Sequence, residues 1–448
     1  MDLMNYFLIG FGTFFLIFSL LISIMIWIEN KFSAGLKFFL LFLPLPLLFF
    51  LAGWYRFPYQ EIIGILLISA TVITGIIILF PSKTNKFQNR SIPVNRIDER
   101  DTMFSRKDLV PDTKHFREYY VKNPEKKAKD DLFRELPGLL KPGTIYYNRL
   151  AFAAANASFF TIEQLHSLVR GNKTNEVEPV NKNQITRFIK TWAKKLGILD
   201  VGITELKEYH LYSVGGRNER YGMEVINSHK FIIALTVEMD YSMMSTSPLA
   251  PTVMESAQQY QNSGSIAIQI AQFIRNLGYS ARAHIDANYE LICPLVARDA
   301  GLGEIGRMGL LITHGYGPRV RISVVTTDLP LFIDPPTHDP SVLDFCAKCK
   351  KCSDICPCQA IPFEERKEID GVFRWQINSE ACYTYWCKAG TDCGRCIAVC
   401  PYSHPKNLLH NLVRRGVNNS ILFRNLAIKM DDVIYGKKPA PENPPDWM

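Results

Sequence analysis

Charged residues are almost absent from the first 82 positions of this 448-residue chain, where three acidic and three basic side chains cancel. The net charge of +8 therefore lies entirely beyond them. Cysteine is absent from most of the chain, because ten of the eleven cysteines fall between positions 346 and 400. A disulfide-stapled secreted protein would spread its cysteines, so their concentration favours metal binding. The 47% apolar content excludes a disordered chain.

Three uncharged stretches lie in the first part of the chain, at residues 6–28, 38–55 and 62–80. Each is close to the roughly 20 residues that cross the hydrocarbon core of a bilayer. Pro44 and Pro46 interrupt the second stretch, but neighbouring helices can satisfy the freed carbonyl groups in a membrane bundle. The sequence therefore predicts three transmembrane helices.

The distribution of basic residues predicts the orientation of this anchor. Lys31 and Lys37 lie in or near the first loop, Arg56 lies in the second, and five more basic residues follow the third stretch within 83–100. By the positive-inside rule, the first loop and the C-terminal body face the cytoplasm of a multi-pass membrane protein. The run at 83–100 is expected to contact anionic headgroups rather than nucleic acid. Asp2 and the lack of a basic start predict no cleaved leader.

The remaining residues are predicted to form a polar connector and a mixed α/β domain. Helical periodicity occurs at 184–196 and 265–277, and apolar β-rich runs occur at 198–203, 231–237 and 320–326. We predict an anchor at 1–82, a connector at 83–145, the α/β domain at 146–340, the cysteine-rich domain at 341–410, and at 411–448 a tail that packs on the core.

The cysteine-rich segment contains two groups with the spacing of iron–sulfur ligands. The first group reads C-x2-C-x2-C-x3-C-P, as in bacterial ferredoxins, where the fourth cysteine binds the other cluster. This rule predicts two [4Fe-4S] clusters with these ligands: Cys346, Cys349, Cys352 and Cys400 for cluster one, and Cys356, Cys382, Cys393 and Cys396 for cluster two.

Two alternatives remain for these cysteines. Two zinc sites would also use eight thiolates, although zinc ribbons pair their cysteines in twos. Cys387 lies between two expected ligands and is an alternative to Cys382. Cys293 and Cys358 are expected to be buried bystanders.

Gly301, Gly303 and Gly306 match the G-x-G-x-x-G dinucleotide fingerprint. Only twelve residues, 307–318, separate the last of these glycines from the next predicted strand, and several of them are glycines. No room remains for the helix that a Rossmann unit requires, so we do not expect nicotinamide binding. A close approach of backbone to a large flat cofactor is the alternative role of these glycines.

From residue 96 onward, the chain resembles the corrinoid-dependent reductive dehalogenases, and the epoxyqueuosine reductases are their nearest relatives. The resemblance rests on the order of several segments: 96–106, 196–203, 300–309, 327–331, the paired cysteine motifs, and 431–436 with Trp447. It implies an α+β nitroreductase-like core that binds a corrinoid (cobalamin) with its lower base detached. No Asp-x-His-x-x-Gly motif occurs that would supply a histidine ligand to cobalt.

The resemblance also implies a reaction, the two-electron reduction of an organohalide with electrons from the clusters. Its proton donor in dehalogenases is a tyrosine beside a basic residue, which maps to Tyr241 and Arg307. Asp286 is the rival acid, at the position suggested by the epoxyqueuosine reductases. Tyr289 and Glu290 are further pocket candidates by position alone.

Two other functions are compatible with the sequence, namely an epoxyqueuosine-reductase-like enzyme and a membrane electron-transfer subunit without corrinoid. The expected partners are the lipid bilayer, an organohalide and an electron donor that is quinol-linked or of the ferredoxin type, without nucleic acid. Familiar respiratory dehalogenases carry a twin-arginine leader and work outside the cytoplasm, which differs from the cytoplasmic location predicted for this chain.

Overall fold

The protein is represented by a computed structural model that describes residues 3–29, 31–55, 58–82, 87 and 92–448. It divides into two compact units. One comprises Met1–Lys86 and Lys406–Pro439, and the other comprises Phe87–Pro405 and Ala440–Met448. Most of the basic run predicted to contact headgroups lies outside the described residues, at 83–86 and 88–91.

The first unit begins with helices whose apolar side chains are mostly exposed. These are α1 (Leu3–Ile28), α2 (Phe32–Phe42), α3 (Pro44–Trp54) and α4 (Gln60–Leu79). The backbone of Leu43 is helical, so α2 continues into α3, and Pro44 lies where the two helices join. The three resulting segments, of 26, 23 and 20 residues, are long and apolar enough to cross a membrane.

The second unit contains twelve described α-helices and eight short or medium strands. The helices are α5 (Met103–Lys107), α6 (Lys114–Lys122), α7 (Pro124–Arg134), α8 (Arg149–Gln164), α9 (Lys182–Lys195), α10 (Tyr241–Ser245), α11 (Ala250–Asn276), α12 (Cys293–Asp299), α13 (Pro340–Cys349), α14 (Lys351–Ile355), α15 (Ser379–Ala389) and α16 (Arg395–Ala398). The strands are β1 (Asp200–Glu205), β2 (Phe231–Glu238), β3 (Ala281–His284), β4 (Gly303–Ile305), β5 (Leu311–Thr313), β6 (Val320–Thr327), β7 (Lys367–Ile369) and β8 (Val372–Arg374).

A four-stranded antiparallel sheet in the order β1-β2-β6-β3 forms the core of this unit. Alternate residues of β2 enter two hydrophobic clusters, with Ile233 and Leu235 on one face and Ile232 and Ala234 on the other. Because both faces are covered, β2 is apolar throughout, and this explains its continuous hydrophobic run. The predicted strands and the helix at α9 are confirmed, and the fold is the expected mixture of helix and sheet.

The connector is tied by backbone hydrogen bonds to the end of α15. Gly138 N–H donates to the carbonyl of Cys387, and Ile145 N–H donates to the carbonyl of Lys388. Tyr146 N–H donates to the last residue of α15, Ala389, and Leu140 N–H donates to Gly390, which follows the helix. The predicted connector is therefore an integral layer of the second unit.

Two further helices, α17 (Leu408–Asn419) and α18 (Ile421–Ile434), belong to the first unit. We expected residues 411–448 to pack on the core as a single tail, and this expectation is wrong for most of them. Ile434 of α18 packs with Ile26, Ala34 and Phe38 of the N-terminal helices. Only Ala440–Met448 belongs to the second unit.

Candidate functional site

The cysteine-rich domain turns sharply at its ligand-bearing segments. Lys350, between α13 and α14, has a left-handed backbone with φ of 57°. Cys393 and Gly394 adopt the same region before α16, with φ of 60° and 67°. Such turns let a short chain surround a cluster from several sides, which a continuous helix cannot do.

The thiols of this domain lie close enough together to raise one another's pKa. Burial raises the pKa of Cys400, and the neighbouring thiols of Cys346, Cys349 and Cys352 raise it further. Burial also raises the pKa of Cys393 to about 12, and Cys356 is among the thiols that contribute. Cys400 therefore lies with the first motif, as the cross-ligation rule requires.

The cysteines outside the predicted ligand set differ in their surroundings. Cys387 is buried in a hydrophobic cluster with Met103 and Phe133. The Sγ atom of Cys358 lies 3.7 Å from that of Cys356. Cys387 therefore behaves as a small core residue, whereas Cys358 lies among the thiols of the second group.

Arg307 is completely buried within the cysteine-rich domain. Its Nε and Nη2 donate to the carbonyls of Cys346 and Ala347 at 3.0 and 3.2 Å. Its Nη1 donates to the carbonyls of Pro362 and Glu364 at 2.9 and 2.8 Å. Four backbone carbonyls thus hold this cation beside the first cysteine group.

The expectation that Arg307 is the cation beside Tyr241 is therefore corrected. The guanidinium of Arg319 lies 5.5 Å from the centre of the Tyr241 ring. Arg319 is buried and is held by the Glu238 carboxylate at 2.8 Å and the carbonyl of Ser403 at 2.9 Å. Arg319, and not Arg307, is therefore the cation described beside Tyr241, and the role of Tyr241 as proton donor stays a prediction.

The glycine-rich segment forms a hairpin of β4 and β5. A Cβ atom at Gly303 would lie 2.2 Å from the carbonyl oxygen of Ile312, and one at Gly306 would lie 2.8 Å from the Ile312 side chain. The approach of β5 therefore requires glycine at both positions, and the role expected for them at a flat cofactor stays a prediction. Gly301 has φ of +80° and is partly exposed. No helix lies between β4 and β6 among these fully described residues, which agrees with the absence of a Rossmann unit.

A cluster of titratable side chains surrounds the loop that follows β3. We call Asp286, Tyr289, Arg217, Tyr260 and Cys293 the Asp286 cluster, since each interacts electrostatically with Asp286. The loop is held at its start, where His166 Nε2 contacts the Asp286 carbonyl at 2.8 Å. A left-handed backbone at Ala287, with φ of 57°, turns the chain back on itself.

Burial raises the pKa values of the acidic groups in this cluster. It raises the pKa of Asp286 despite the opposing charges of Arg217 and Arg321. It also raises the pKa of Tyr289, and Arg217 again opposes the rise. A carboxyl group with a raised pKa keeps its proton to higher pH, which is the property of a general acid.

A charged pair connects the Asp286 cluster with the second cysteine group. The guanidinium of Arg321 lies 4.5 Å from the centre of the Tyr260 ring. Its Nη2 contacts Asp392 Oδ2 at 2.9 Å, and both side chains are largely buried. Asp392 immediately precedes Cys393 in the chain. The Arg321–Asp392 ion pair therefore lies between the phenol ring of Tyr260 and a predicted cluster ligand.

The sequence did not single out Arg217, Tyr260, Arg319, Arg321 or Asp392. Apart from Arg319 and Arg321, which are two positions apart, these residues lie on separate segments, and none of them belongs to a motif with a known spacing. Tyr260 lies in the first half of α11, which begins at Ala250 rather than at the predicted residue 265.

Comparisons with known proteins agree with this architecture. Residues 345–404 match the family model of the 4Fe-4S dicluster domain. A tetrachloroethene reductive dehalogenase of Desulfitobacterium hafniense is 32% identical over 300 residues, which cover 56% of this chain and 54% of that protein. An epoxyqueuosine reductase of Escherichia coli strain K12 is 27% identical over 218 residues, covering 41% of this chain and 54% of that protein. The chain spans about half the length of these curated relatives.

Solved structures support the fold. The catabolic reductive dehalogenase NpRdhA, in complex with 3-bromo-4-hydroxybenzoic acid, matches with a TM-score of 0.63 at 24% identity. The match covers 80% of this chain and 49% of that chain. Over about half of its length the chain is therefore similar in sequence to reductive dehalogenases and, at lower identity, to an epoxyqueuosine reductase, and it has the fold of a reductive dehalogenase and a 4Fe-4S dicluster domain.

Proposed function

We propose that this chain is a membrane-anchored reductive dehalogenase. The net reaction is RX + 2e⁻ + H⁺ → RH + X⁻, so the protein must deliver two electrons and one proton to the same place. The observation that carries the proposal is the Arg321–Asp392 pair, which joins the Asp286 cluster to the residue preceding Cys393. A proton source and an electron source are thereby brought next to one another.

Two [4Fe-4S] clusters would supply the electrons one at a time. We assign cluster one to Cys346, Cys349, Cys352 and Cys400, and cluster two to Cys356, Cys382, Cys393 and Cys396. The grouping of the Cys400 thiol with the first motif supports this cross-ligation. The buried guanidinium of Arg307 would stabilise the negative charge of the first group.

The residues between the sheet and the cysteine-rich domain fit a corrinoid, which carries many amide side chains. The buried atoms Arg319 Nη2, Arg321 Nε and Asp392 Oδ1 have no hydrogen-bond partner among the described residues. Amide groups offer both the acceptors and the donor that these atoms lack. When bound with its lower base detached, the corrinoid would supply a strongly reducing cobalt centre. Gly301 is the glycine of the fingerprint that stays available to such a ligand.

We assign the proton to Asp286, with Tyr289 and Arg217 as its electrostatic environment. Its raised pKa keeps the carboxyl group protonated to higher pH, and the partly buried position limits exchange with bulk water. Tyr241, beside Arg319, is the second candidate donor. Arg319 would favour the phenolate form and thereby make this tyrosine a stronger acid.

We also propose that the three apolar helical segments are transmembrane spans and that the catalytic unit lies on the cytoplasmic side. Their lengths support the first statement, and Lys31 and Lys37 near the first loop support the second. A quinol-linked or ferredoxin-type donor would then reach the clusters from the membrane or the cytoplasm.

The decisive experiment measures iron, corrinoid and halide release on the full chain. The protein is extracted in detergent without oxygen after expression with cobalamin. We expect two four-iron clusters, one corrinoid with a base-off electron paramagnetic resonance signal, and halide release from an organohalide. Corrinoid with turnover of epoxyqueuosine and no halide release would favour the second reductase class. Clusters without corrinoid would favour an electron-transfer subunit.

A further inference from the structure

The outer faces of α17 and α18 carry an apolar stripe. Leu422, Leu426 and Val433 of α18 are 50%, 42% and 52% exposed, and their spacing puts them on one side of the helix. Leu408 and Leu412 form the equivalent pair on α17 and are also exposed. A soluble domain normally turns such a stripe inward, so an exposed one indicates a contact surface.

The position of α18 within its unit indicates what this surface meets. The hydroxyl of Ser420, which caps α18, donates to the carbonyl of Ile78 near the end of α4. At the other end of α18, Ile434 packs with Ile26 near the end of α1 and Ala34 near the start of α2. A 14-residue helix is about 21 Å long. Therefore α18 crosses the ends of the predicted spans on one side of the bundle.

The segment is also strongly basic. Residues 406–439 contain seven Lys or Arg side chains and two Asp side chains. Five of the basic side chains are exposed, whereas Arg414 and Arg424 are buried. Lys429 lies on the exposed face of α18, between Leu426 and Val433, where its ammonium group can extend past the leucines to the headgroups. Apolar side chains with interspersed cations are typical of helices that lie in the plane of a membrane.

We propose that α17 and α18 form an amphipathic hairpin that binds the anionic lipid surface of the bilayer. The leucine and valine side chains enter the boundary between headgroups and acyl chains, and the basic residues attract phosphate groups. The inference rests on the proposal that the apolar segments span that bilayer. The hairpin is a second membrane contact, and it begins at Leu408, far along the chain from the end of the last predicted span at Leu79.

Site-specific photocrosslinking tests the hairpin on the full chain. Benzoylphenylalanine replaces Leu426 in protein reconstituted without oxygen into nanodiscs of equal parts phosphatidylcholine and phosphatidylglycerol. Ile73 of α4 is the control inside a predicted span, and Val121 of α6, which is 81% exposed, is the control outside the membrane unit. Leu412 carries the same label as a second site, in case the variant at Leu426 does not fold. Mass spectrometry identifies what each label has captured.

We expect lipid adducts at Leu426 and Ile73 and none at Val121. Lipid at Ile73 but no adduct, or a second protein chain, at both Leu426 and Leu412 would overturn the hairpin and leave the spans intact. The absence of lipid at Ile73 as well would overturn both proposals. In the Lys429→Gln background, the phosphatidylglycerol share of the adducts at Leu426 should fall by up to about fivefold. An unchanged share would remove the electrostatic part of the proposal.

Discussion

Replacing Arg307 separates two interpretations of this side chain, as a cation at the proton donor and as a structural cation in the cysteine-rich domain. The structure favours the second, because the guanidinium donates four hydrogen bonds to carbonyls of Cys346, Ala347, Pro362 and Glu364. The Arg307→Met substitution keeps the volume of the side chain and removes all four donors. We therefore expect damage to the first cluster rather than to proton transfer.

The size of the effect follows from these contacts. Each carbonyl that loses its donor inside the protein costs about 1 kcal/mol, so the four together cost about 4 kcal/mol. Methionine can still contact the ring of Trp375, on which the guanidinium of Arg307 lies at 4.7 Å, so the loss of packing is small. A destabilisation of this size makes local opening of the domain roughly a thousandfold more frequent.

Release of iron to a chelator measures that opening. When opening and closing are fast compared with capture, the release rate follows the equilibrium population of the open form. The matched control is Arg366→Met, because Arg366 also lies over Trp375, at 5.7 Å, but its guanidinium donates one described hydrogen bond, to the Phe373 carbonyl at 3.3 Å. We expect up to about fivefold faster release for this control and a far larger acceleration for Arg307→Met.

One result would refute this reasoning. If Arg307→Met retained its iron with wild-type release kinetics but lost halide release, and lowering the pH restored the activity, Arg307 would act on the proton donor after all. The four carbonyls would then be satisfied in another way, and the assignment of Arg319 as the cation beside Tyr241 would fall.

Three further predictions concern the proposed site. Asp286→Asn should lower halide release by about 10²- to 10⁴-fold. It should also abolish the loss of activity that occurs as the pH rises through the raised pKa of Asp286, whereas Tyr241→Phe should leave that pH profile unchanged. The reverse pattern in pH–rate measurements would exchange the two roles. Arg321→Met leaves the Asp392 carboxylate buried without its partner and should lower stability by about 3–5 kcal/mol, and adding Asp392→Leu should recover part of this loss in thermal unfolding. Cys387→Ala should retain all the iron in elemental analysis, since a loss of half would make it a cluster ligand.

The parts of the fold that depend on local pattern could be predicted from the sequence. Long stretches without charged residues predicted the apolar helices. Runs of apolar residues, continuous or alternating with polar ones, predicted the central strands such as β2. The first half of α11 was missed because residues such as Ala250, Glu255 and Ser263 are buried on several sides, so no amphipathic periodicity marks the helix. Neighbouring elements cover α11 on several sides, so its sequence lacks the alternation of apolar and polar faces from which a helix is predicted.

In the candidate site too, features set by local sequence could be predicted, and contacts between distant segments could not. Cysteine spacing is local and predicted the 4Fe-4S dicluster domain, whereas the partners of Arg307 come from segments up to 57 positions away. A single sequence gives no measure of such distances. The tail illustrates the same limit, since α18 carries two opposite faces and its sequence does not say which element each one meets.

The hydrogen bonds between the connector and the end of α15 also bear on how the protein is made. The partners Ile145 and Lys388 are about 240 positions apart, so this layer cannot form until most of the chain has left the ribosome. During synthesis the connector therefore lacks these hydrogen bonds while the strands and helices that follow it emerge. Because Lys388 lies between Cys382 and Cys393, two predicted cluster ligands, assembly of the iron–sulfur domain and formation of the connector layer are expected to be one late event in biogenesis.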